Sequence, residues 1–213
     1  SSSDQYSVFN LFYSYNKPDI IKGVSYRFST EFAKNFSKLS STISYRQLST
    51  SDTNLEFRLF AGVFLKNETT DDYFSFGLDR PSDYLFELNY IGRSESSGIL
   101  SQQLVVAEGG FKSVLPTRFA NQFLVSFNSS IGVWRWAEFY NDVAFLKNRN
   151  TRVYFGYENG MRFNFIDTIF EVYFPFYSNN GWEINQQGYA EKVRFVFTAN
   201  FNSIYNFFRR GFL

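Results

Sequence analysis

One stretch of this 213-residue chain constrains its fold more than any other: LEFRLFAGVFLK, from Leu55 to Lys66. Hydrophobic side chains occupy every second position from Leu55 to Leu65, and charged residues stand only between them. Such alternation places the two sets on opposite faces of a β-strand. Roughly twelve alternating residues are long for a strand of a globular protein and fit a tilted membrane strand, which needs about nine to eleven. We therefore expect a strand with one lipid face and one polar face.

The same pattern recurs along most of the chain and predicts about eleven strands. The expected strands are residues 6–15, 22–33, 39–49, 55–66, 72–78 and 83–90, then 118–131, 135–146, 152–165, 169–178 and 191–201. Between the two groups, residues 91–117 lack clean alternation and carry charged and polar side chains among small ones. A loop of this length inside a compact sheet is usually functional or disordered. We expect it to fold back into the mouth of a barrel.

The aromatic content indicates which solvent the sheet meets. Aromatic residues make up 22% of the chain, yet the mean hydropathy is −0.27. No apolar run approaches the ~18 residues that a membrane helix needs. One soluble core would not use so many aromatic side chains, whereas a barrel in lipid points them outward and keeps polar groups inside. The predicted fold class is all-β, an antiparallel transmembrane β-barrel.

Composition also excludes several classes of chemistry. Lys and Arg total 21 and Asp and Glu total 20, and this balance gives no reason to expect nucleic-acid binding. The absence of cysteine removes disulfides and thiolate metal sites, and the absence of histidine removes a Ser-His-Asp triad and His-ligated zinc. We expect neither a catalytic residue, nor a metal, nor a cofactor in this chain.

Loop lengths predict an orientation. Bacterial barrels have even strand numbers, short periplasmic turns and long outer loops. If the last strand descends to a periplasmic C-terminus, the loops at 91–117 and 179–190 lie outside. The expected periplasmic turns are those at residues 16–19 (NKPD), 49–54 (STSDTN), 79–82 (DRPS) and 166–168. Because about eleven strands is an odd number, we expect residues 1–213 to be the C-terminal part of a larger barrel, with at least one ascending strand upstream of Ser1.

This arrangement resembles the end of the BamA-like surface-antigen superfamily, whose sixteen-stranded barrels tuck a long extracellular loop back into the lumen. Several segments are similar in wording to the C-terminal barrel that follows an M1-like (gluzincin) zinc peptidase domain in Bacteroidota outer-membrane proteins. They are GRSESSG (92–98), SQQ (101–103), EGGFK (108–112), ENGMRFNF (158–165), EVYFPFYS (171–178) and EKVRFVF (191–197). The family's loop contacts the lumen wall through an Arg-Gly-Phe motif, and Gly109-Gly110-Phe111-Lys112 stands in that stretch without the arginine. The peptidase's HExxH motif is absent, so no catalytic role carries over.

The candidate site residues fall into four groups. The loop residues expected to form a plug network in the lumen are Arg93, Glu95, Gln102, Gln103, Glu108, Phe111 and Lys112. Their expected partners on the wall are Arg58, Glu171 and Arg194, because a charge removed from water must be compensated. Glu158 and Glu171 are interpreted as lumen hydrogen-bonding groups rather than an acid/base pair. The residues expected to face lipid are Phe57, Leu59, Phe123, Phe195 and Phe197, and Trp134 and Trp136 are expected in an interfacial girdle.

Three functional hypotheses follow. The first is a structural anchor in the bacterial outer membrane for a larger protein with an upstream peptidase-like domain. The second is a barrel that assembles or translocates other outer-membrane proteins, and the third is a soluble ligand-binding β-barrel. The expected partners are outer-membrane lipids, lipopolysaccharide and other outer-membrane subunits. The tail at 202–213 is interpreted as either a short interfacial helix or a frayed end.

Overall fold

The computed structural model describes residues 6–19, 21–48, 53–85, 97–166 and 170–197, and these residues form an all-β structure. An antiparallel sheet of ten strands makes up most of it, and a two-stranded ribbon lies apart from that sheet. Among the described residues, no helix has the length and apolar character to cross a membrane. The predicted tail at 202–213 lies outside the described residues.

The strands agree closely with the alternating stretches of the sequence. They are β1 (Val8–Lys17), β2 (Lys22–Ala33), β3 (Phe36–Leu48), β4 (Asn54–Asn67), β5 (Phe76–Gly77), β6 (Phe119–Ala120), β7 (Phe123–Trp134), β8 (Ala137–Lys147), β9 (Tyr154–Ile166), β10 (Phe170–Ser178), β11 (Gly181–Trp182) and β12 (Arg194–Phe197). Single 3₁₀ turns lie at Ile99–Gln102 and Glu183–Asn185, and one α-helical turn, α1, lies at Tyr189–Lys192. The last expected strand therefore begins a few residues later than residue 191.

The main sheet follows the order β1-β2-β3-β4-β7-β8-β9-β10, and the short β11 and β12 both pair with β10. Every pair of neighbouring strands is antiparallel. Within the described residues β1 pairs only with β2, so the sheet does not close on itself here. Over its described residues the structure is therefore an open antiparallel sheet.

The expected strand at 72–78 is wrong, because these residues form only the two-residue β5. Of the expected strand at 83–90, residues 83–85 form no strand and residues 86–90 lie outside the described residues. Strand β4 pairs directly with β7, so no place in the sheet remains for additional strands between them. In the described part of the chain, four long strands precede the loop, and DRPS at 79–82 does not connect two strands of the main sheet. The apolar residues of this region alternate because they pack into an internal core.

That core joins the sheet to the segment between β4 and β7, which we call the insert (residues 68–122). Phe60 of β4 and Leu124 of β7 pack against buried residues of the insert. The buried insert residues are Phe76, Leu78, Phe111, Leu115 and Ala120. Burying apolar side chains of this size stabilises the contact by about 1.5–3 kcal/mol for each one fully buried. The insert is thereby fixed against one face of the sheet, which we call the inner face.

The two faces of the sheet have opposite chemistry. On the outer face, large apolar side chains stand in the open: Phe145 and Ile131 are each 50% exposed. On the inner face, the carboxylates Asp142 and Glu158 are 0% exposed. In a soluble antiparallel sheet the apolar face is the covered one and the polar face is solvated. This sheet has the reverse arrangement.

The connections differ between the two ends of the sheet. Strands β7 and β8 are joined by residues 135–136, β3 and β4 by 49–53, and β9 and β10 by 167–169. We call this the short-turn end. The insert and the connection 179–193 lie at the other end, which we call the insert end, although the link between β2 and β3 there is also short.

Candidate functional site: the contact between the insert and the sheet

Residues 107–113 of the insert, AEGGFKS, lie against polar side chains from five strands of the inner face. These side chains are Arg58 of β4, Asn128 of β7, Asp142 of β8, Glu158 of β9 and Arg194 of β12. We call these five residues the anchor cluster. The pairing of β4 with β7 places Arg58 directly beside Asn128, and the pairing of β8 with β9 places Asp142 beside Glu158. The cluster therefore depends on strand register.

The acidic half of the anchor cluster holds Lys112 and its neighbour. The Nζ of Lys112 donates to Asp142 Oδ2 at 2.5 Å, and the two side chains are 9% and 1% exposed. The backbone amide of Lys112 donates to Glu158 Oε1 at 2.6 Å, and that of Ser113 donates to Glu158 Oε2 at 2.7 Å. A carboxylate that accepts such charge-assisted bonds in a buried site holds its donors tightly. Glu158 thus fixes the backbone of the insert, and Asp142 fixes its one lysine in this stretch.

The other half of the anchor cluster, Arg58, Arg194 and Asn128, binds the backbone carbonyl groups of the insert. Arg58 Nη1 donates to the Glu108 carbonyl and to Asn128 Oδ1, both at 2.9 Å, and Nη2 donates to the Ala107 carbonyl at 3.3 Å. Asn128 Nδ2 donates to the Gly109 carbonyl at 3.0 Å and to Asp142 Oδ1 at 2.9 Å. Arg194 Nε donates to the Lys112 carbonyl at 3.2 Å. The turn therefore has hydrogen-bond partners for its carbonyls as well as its amides.

Two glycines allow the turn to lie this close to the wall. Gly110 has φ of +74°, and a Cβ there would stand 2.7 Å from Asn128 Oδ1. At Gly109 a Cβ would stand 2.7 Å from the Cα of Leu78. A side chain at either position would overlap its neighbour, and at Gly110 it would also strain the left-handed backbone. Gly110 thus permits close approach to the wall, and Gly109 permits close packing on Leu78 within the insert.

The other predicted loop residues have separate places. Glu108 Oε2 accepts from the Gly77 amide at 2.9 Å and so links two parts of the insert, and Phe111 is 0% exposed in its core. Gln102 Nε2 donates to the Val193 carbonyl at 3.0 Å, and Gln103 forms a parallel bridge with Phe195 of β12. Arg93 and Glu95 lie outside the described residues.

Of the three expected wall partners, Arg58 and Arg194 contact the insert, and Glu171 contacts none of the described insert residues. Glu171 instead accepts from the Tyr173 hydroxyl at 2.7 Å and lies 3.9 Å from Arg162. Asn128 and Asp142 were not among the expected partners. The sequence does carry a signal for Asp142, because it is one of two acids, with Glu138, on the same side of the strand AEFYNDVAFLK.

A second charged cluster lies on the inner face nearer the short-turn end. Arg162 of β9 pairs with Glu138 and, at 2.8 Å, with Glu56 Oε2. Arg46 lies 3.7 Å from Glu56, and Asn164 donates to Glu138 Oε1 at 2.7 Å. Charges of opposite sign thus compensate one another across β3, β4, β8 and β9 on the inner face.

The residues expected to face lipid all lie at alternating positions of the outer face. Leu59 and Phe197 are exposed, whereas Phe57, Phe123 and Phe195 are half-buried by their neighbours. Phe57 stacks on Phe127 with ring centroids 5.7 Å apart. Trp134 and Trp136 stand exposed at the short-turn end and stack on each other at 5.7 Å. Rings at such an end suit a membrane interface, since the indole N–H stays wet.

The chain matches no protein-family model, no curated protein and no solved structure. Its chemistry is therefore argued from its own geometry. In the described part of the chain, no group of three or more acidic residues is placed to hold a metal ion. The anchor cluster is built to hold a loop, because its charged atoms are occupied by backbone groups and by Lys112.

The connection 179–193 contains a further buried carboxylate, Glu183, which is 1% exposed. Lys192 Nζ and the Ser178 hydroxyl donate to it, and Asn180 Nδ2 donates to Oε1 at 3.1 Å. Burial alone would raise the pKa of Glu183, but these hydrogen bonds and the charge of Lys192 outweigh it and hold the pKa below its ordinary value. Asn180 also donates to the Val114 carbonyl at 2.9 Å, so this connection is tied to the insert.

We expect acid to loosen the connection 179–193. Because the folded pKa of Glu183 is lowered, its contribution to stability is present above the unfolded pKa of about 4.3 and is lost as the pH falls below that value. Limited proteolysis by an acid-active protease between pH 6 and pH 3 should show faster cleavage within 179–193 at the acid end. Glu183→Gln should be cleaved faster already at pH 6 and should change less with pH. A wild-type rate that does not depend on pH would contradict this account.

Proposed function

We propose that this chain is a plugged section of the wall of a transmembrane β-barrel in the bacterial outer membrane, where it anchors a larger protein. The observation that carries the proposal is the reversed chemistry of the two sheet faces. Every long strand except β10 places at least one exposed large apolar side chain on the outer face, and the short β12 places Phe197 there. Soluble monomers rarely expose contiguous apolar patches larger than a few hundred Å².

The inner face supports the same proposal. Its buried charges are compensated, as Lys112 is by Asp142 and Arg162 by Glu138, and a segment of the chain itself lies over them. Alternation of apolar-out and polar-in along tilted antiparallel strands is the pattern of outer-membrane barrels. Short turns at one end and the two longest connections at the other agree with periplasmic and outer sides respectively. The proposed C-terminus is then periplasmic.

The proposal predicts how the full-length protein partitions. It should stay with the membrane fraction through washes with high salt and alkaline carbonate and dissolve only in detergent, because the described residues leave the apolar side chains of the outer face uncovered. Immunoblotting of the fractions, with a soluble periplasmic protein as control, measures this. Recovery in the aqueous fraction without detergent would support the soluble ligand-binding alternative instead. An intact mass with peptide mapping tests the anchor role separately, and a single chain bearing an HExxH domain is the expected result.

A second candidate function, the assembly or translocation of other outer-membrane proteins, is favoured by β1. Among the described residues its far edge pairs with no strand, and most of its residues are exposed. An open strand edge offers backbone hydrogen bonds to an incoming strand. Repeated periplasmic βαββα modules in the same polypeptide would favour this function over the anchor.

A further inference from the structure

The described part of the insert, residues 68–85 and 97–122, covers only part of the inner face, and two cavities lie beside it along β1 to β4. A cavity of about 430 Å³, the lower chamber, lies toward the short-turn end and is lined by Ser25, Ser44 and Arg46 among others. A cavity of about 240 Å³, the upper chamber, lies toward the insert end and is lined by Ser29, Ser40 and Thr42 among others. The residues that line the two chambers occupy successive positions along the same strands, so the chambers lie one after the other in the strand direction.

The side chains of β2 and β3 that face the chambers are polar or charged. On β2 and β3 the inward positions are Ser25, Arg27 and Ser29, paired with Ser44, Thr42 and Ser40. The serine and threonine side chains at these positions are short and leave space free, whereas the bulky core residues near β7 and β8 fill the space there. Charges of both signs line each chamber: Arg46 and Glu56 line the lower chamber, and Arg27 and Glu31 line the upper chamber. Polar cavities of this size hold water, whereas apolar ones stay dry.

The two chambers meet at one position, which we call the neck. Arg58 and Val106 are the residues that line both. The Arg58 guanidinium is held there by the carbonyls of Ala107 and Glu108, at 3.3 and 2.9 Å, and by Asn128 at 2.9 Å. Arg58 therefore has two roles in the geometry, because it fastens the insert to the wall and its side chain occupies the space between the cavities.

The upper chamber has its own cover at the insert end. Pro81, Asp83 and Tyr84 of the insert lie over it. The Tyr84 hydroxyl donates to Glu31 Oε2, and Lys38 Nζ lies 3.7 Å from that carboxylate oxygen. Tyr6 donates to the Tyr84 carbonyl at 2.8 Å. The cover is thus fastened to β2 and β3 and does not hang free.

We propose that the two chambers form a path for small hydrophilic solutes along β1 to β4, closed at the neck by Arg58 and Val106. The inference rests on the proposed membrane barrel and adds a passage function to it. A solute entering from the short-turn end reaches the lower chamber, and the Arg58 side chain blocks the upper one. Removing that side chain joins the two cavities.

The absence of cysteine allows a direct test. Single cysteines replace Ser44 in the lower chamber and Ser40 in the upper chamber, in the full-length protein reconstituted in liposomes. A small water-soluble methanethiosulfonate reagent forms a mixed disulfide with an accessible thiol and releases sulfinate, and mass spectrometry follows the rate. With wild-type Arg58 we expect Ser44→Cys to react at least tenfold faster than Ser40→Cys. With Arg58→Ser added, the Ser40→Cys rate should rise at least tenfold, and the Ser44→Cys rate should change little.

A matched control is Arg46→Ser, which removes an arginine from the lower chamber and leaves the neck intact; it should not raise the Ser40→Cys rate. Val106→Ala widens the neck and leaves the hydrogen bonds of the anchor cluster in place. It replaces Arg58→Ser in this test if the Arg58→Ser variant does not fold. Equal rates at both positions in the wild type, or a Ser40→Cys rate unmoved by both neck variants, would overturn the path. Failure of the protein to insert into liposomes is seen before any labelling and would count against the membrane barrel itself.

Discussion

Replacing Leu59 by Arg is expected to lower the free energy of unfolding in a bilayer by about 2–4 kcal/mol, the cost of placing Arg on the lipid face near the midplane. Leu59 lies near the middle of β4, opposite Phe127 of β7, and its side chain is 40% exposed on the outer face. In lipid the guanidinium must leave water, whereas in water an exposed position of this kind tolerates charge within about 0.5 kcal/mol. Urea titration of the protein refolded into vesicles, followed by Trp fluorescence, measures the difference.

Two control variants separate the effect of the added charge from the effect of losing the leucine side chain and from the effect of depth in the membrane. Leu59→Ala removes the side chain without adding charge and should cost clearly less than Leu59→Arg. Ile131→Arg introduces the same charge on the same face of the sheet, in β7 opposite Leu55, but near the short-turn end. Its cost should fall toward about 0–1 kcal/mol, as expected near an interface. Equal costs for the two arginine variants would contradict a lipid midplane at Leu59.

Most of the wall was predictable from the sequence because each strand carries its own signal. In β2 and β4 the alternation of apolar and polar residues gives both the strand and its two faces without knowledge of the partner. The structure has β2 at Lys22–Ala33, as expected, and β4 at Asn54–Asn67, one residue longer at each end than expected. Local patterning fixes such elements, and tertiary contacts only align them.

The insert was not predictable in the same way. Phe76, Leu78 and Tyr84 alternate with polar residues, as apolar residues do in a short strand of the wall. The sequence alone does not reveal that these side chains pack against the inner face of the sheet. The pairing of β4 with β7 skips residues 68–122, and this long-range register brings Arg58 beside Asn128. The loop residues Glu108, Phe111 and Lys112 could be named from their polarity and position, but Asp142 as the partner of Lys112 required that register.

Breaking the Lys112–Asp142 pair is expected to have the largest effect of any single change at the anchor cluster. Asp142→Leu leaves the Lys112 ammonium buried without its carboxylate, and Lys112→Met leaves Asp142 with only Asn128. Removing one partner of a buried ion pair costs about 3–5 kcal/mol, because the remaining charge is uncompensated. Chemical unfolding in vesicles should show this cost for each single variant.

The double variant Lys112→Met with Asp142→Leu decides whether the cost belongs to the pair. With both side chains replaced, neither member of the pair is left buried without the other, so the double variant should cost much less than the sum of the singles. Limited proteolysis at residues 104–118 should follow the same order, fast in each single variant and slower in the double. Glu158 still accepts the amides of Lys112 and Ser113 in these variants, so the turn is loosened rather than released. Additive costs, with proteolysis unchanged, would mean that the ion pair does not hold the insert and that Glu158 and Arg58 carry the contact.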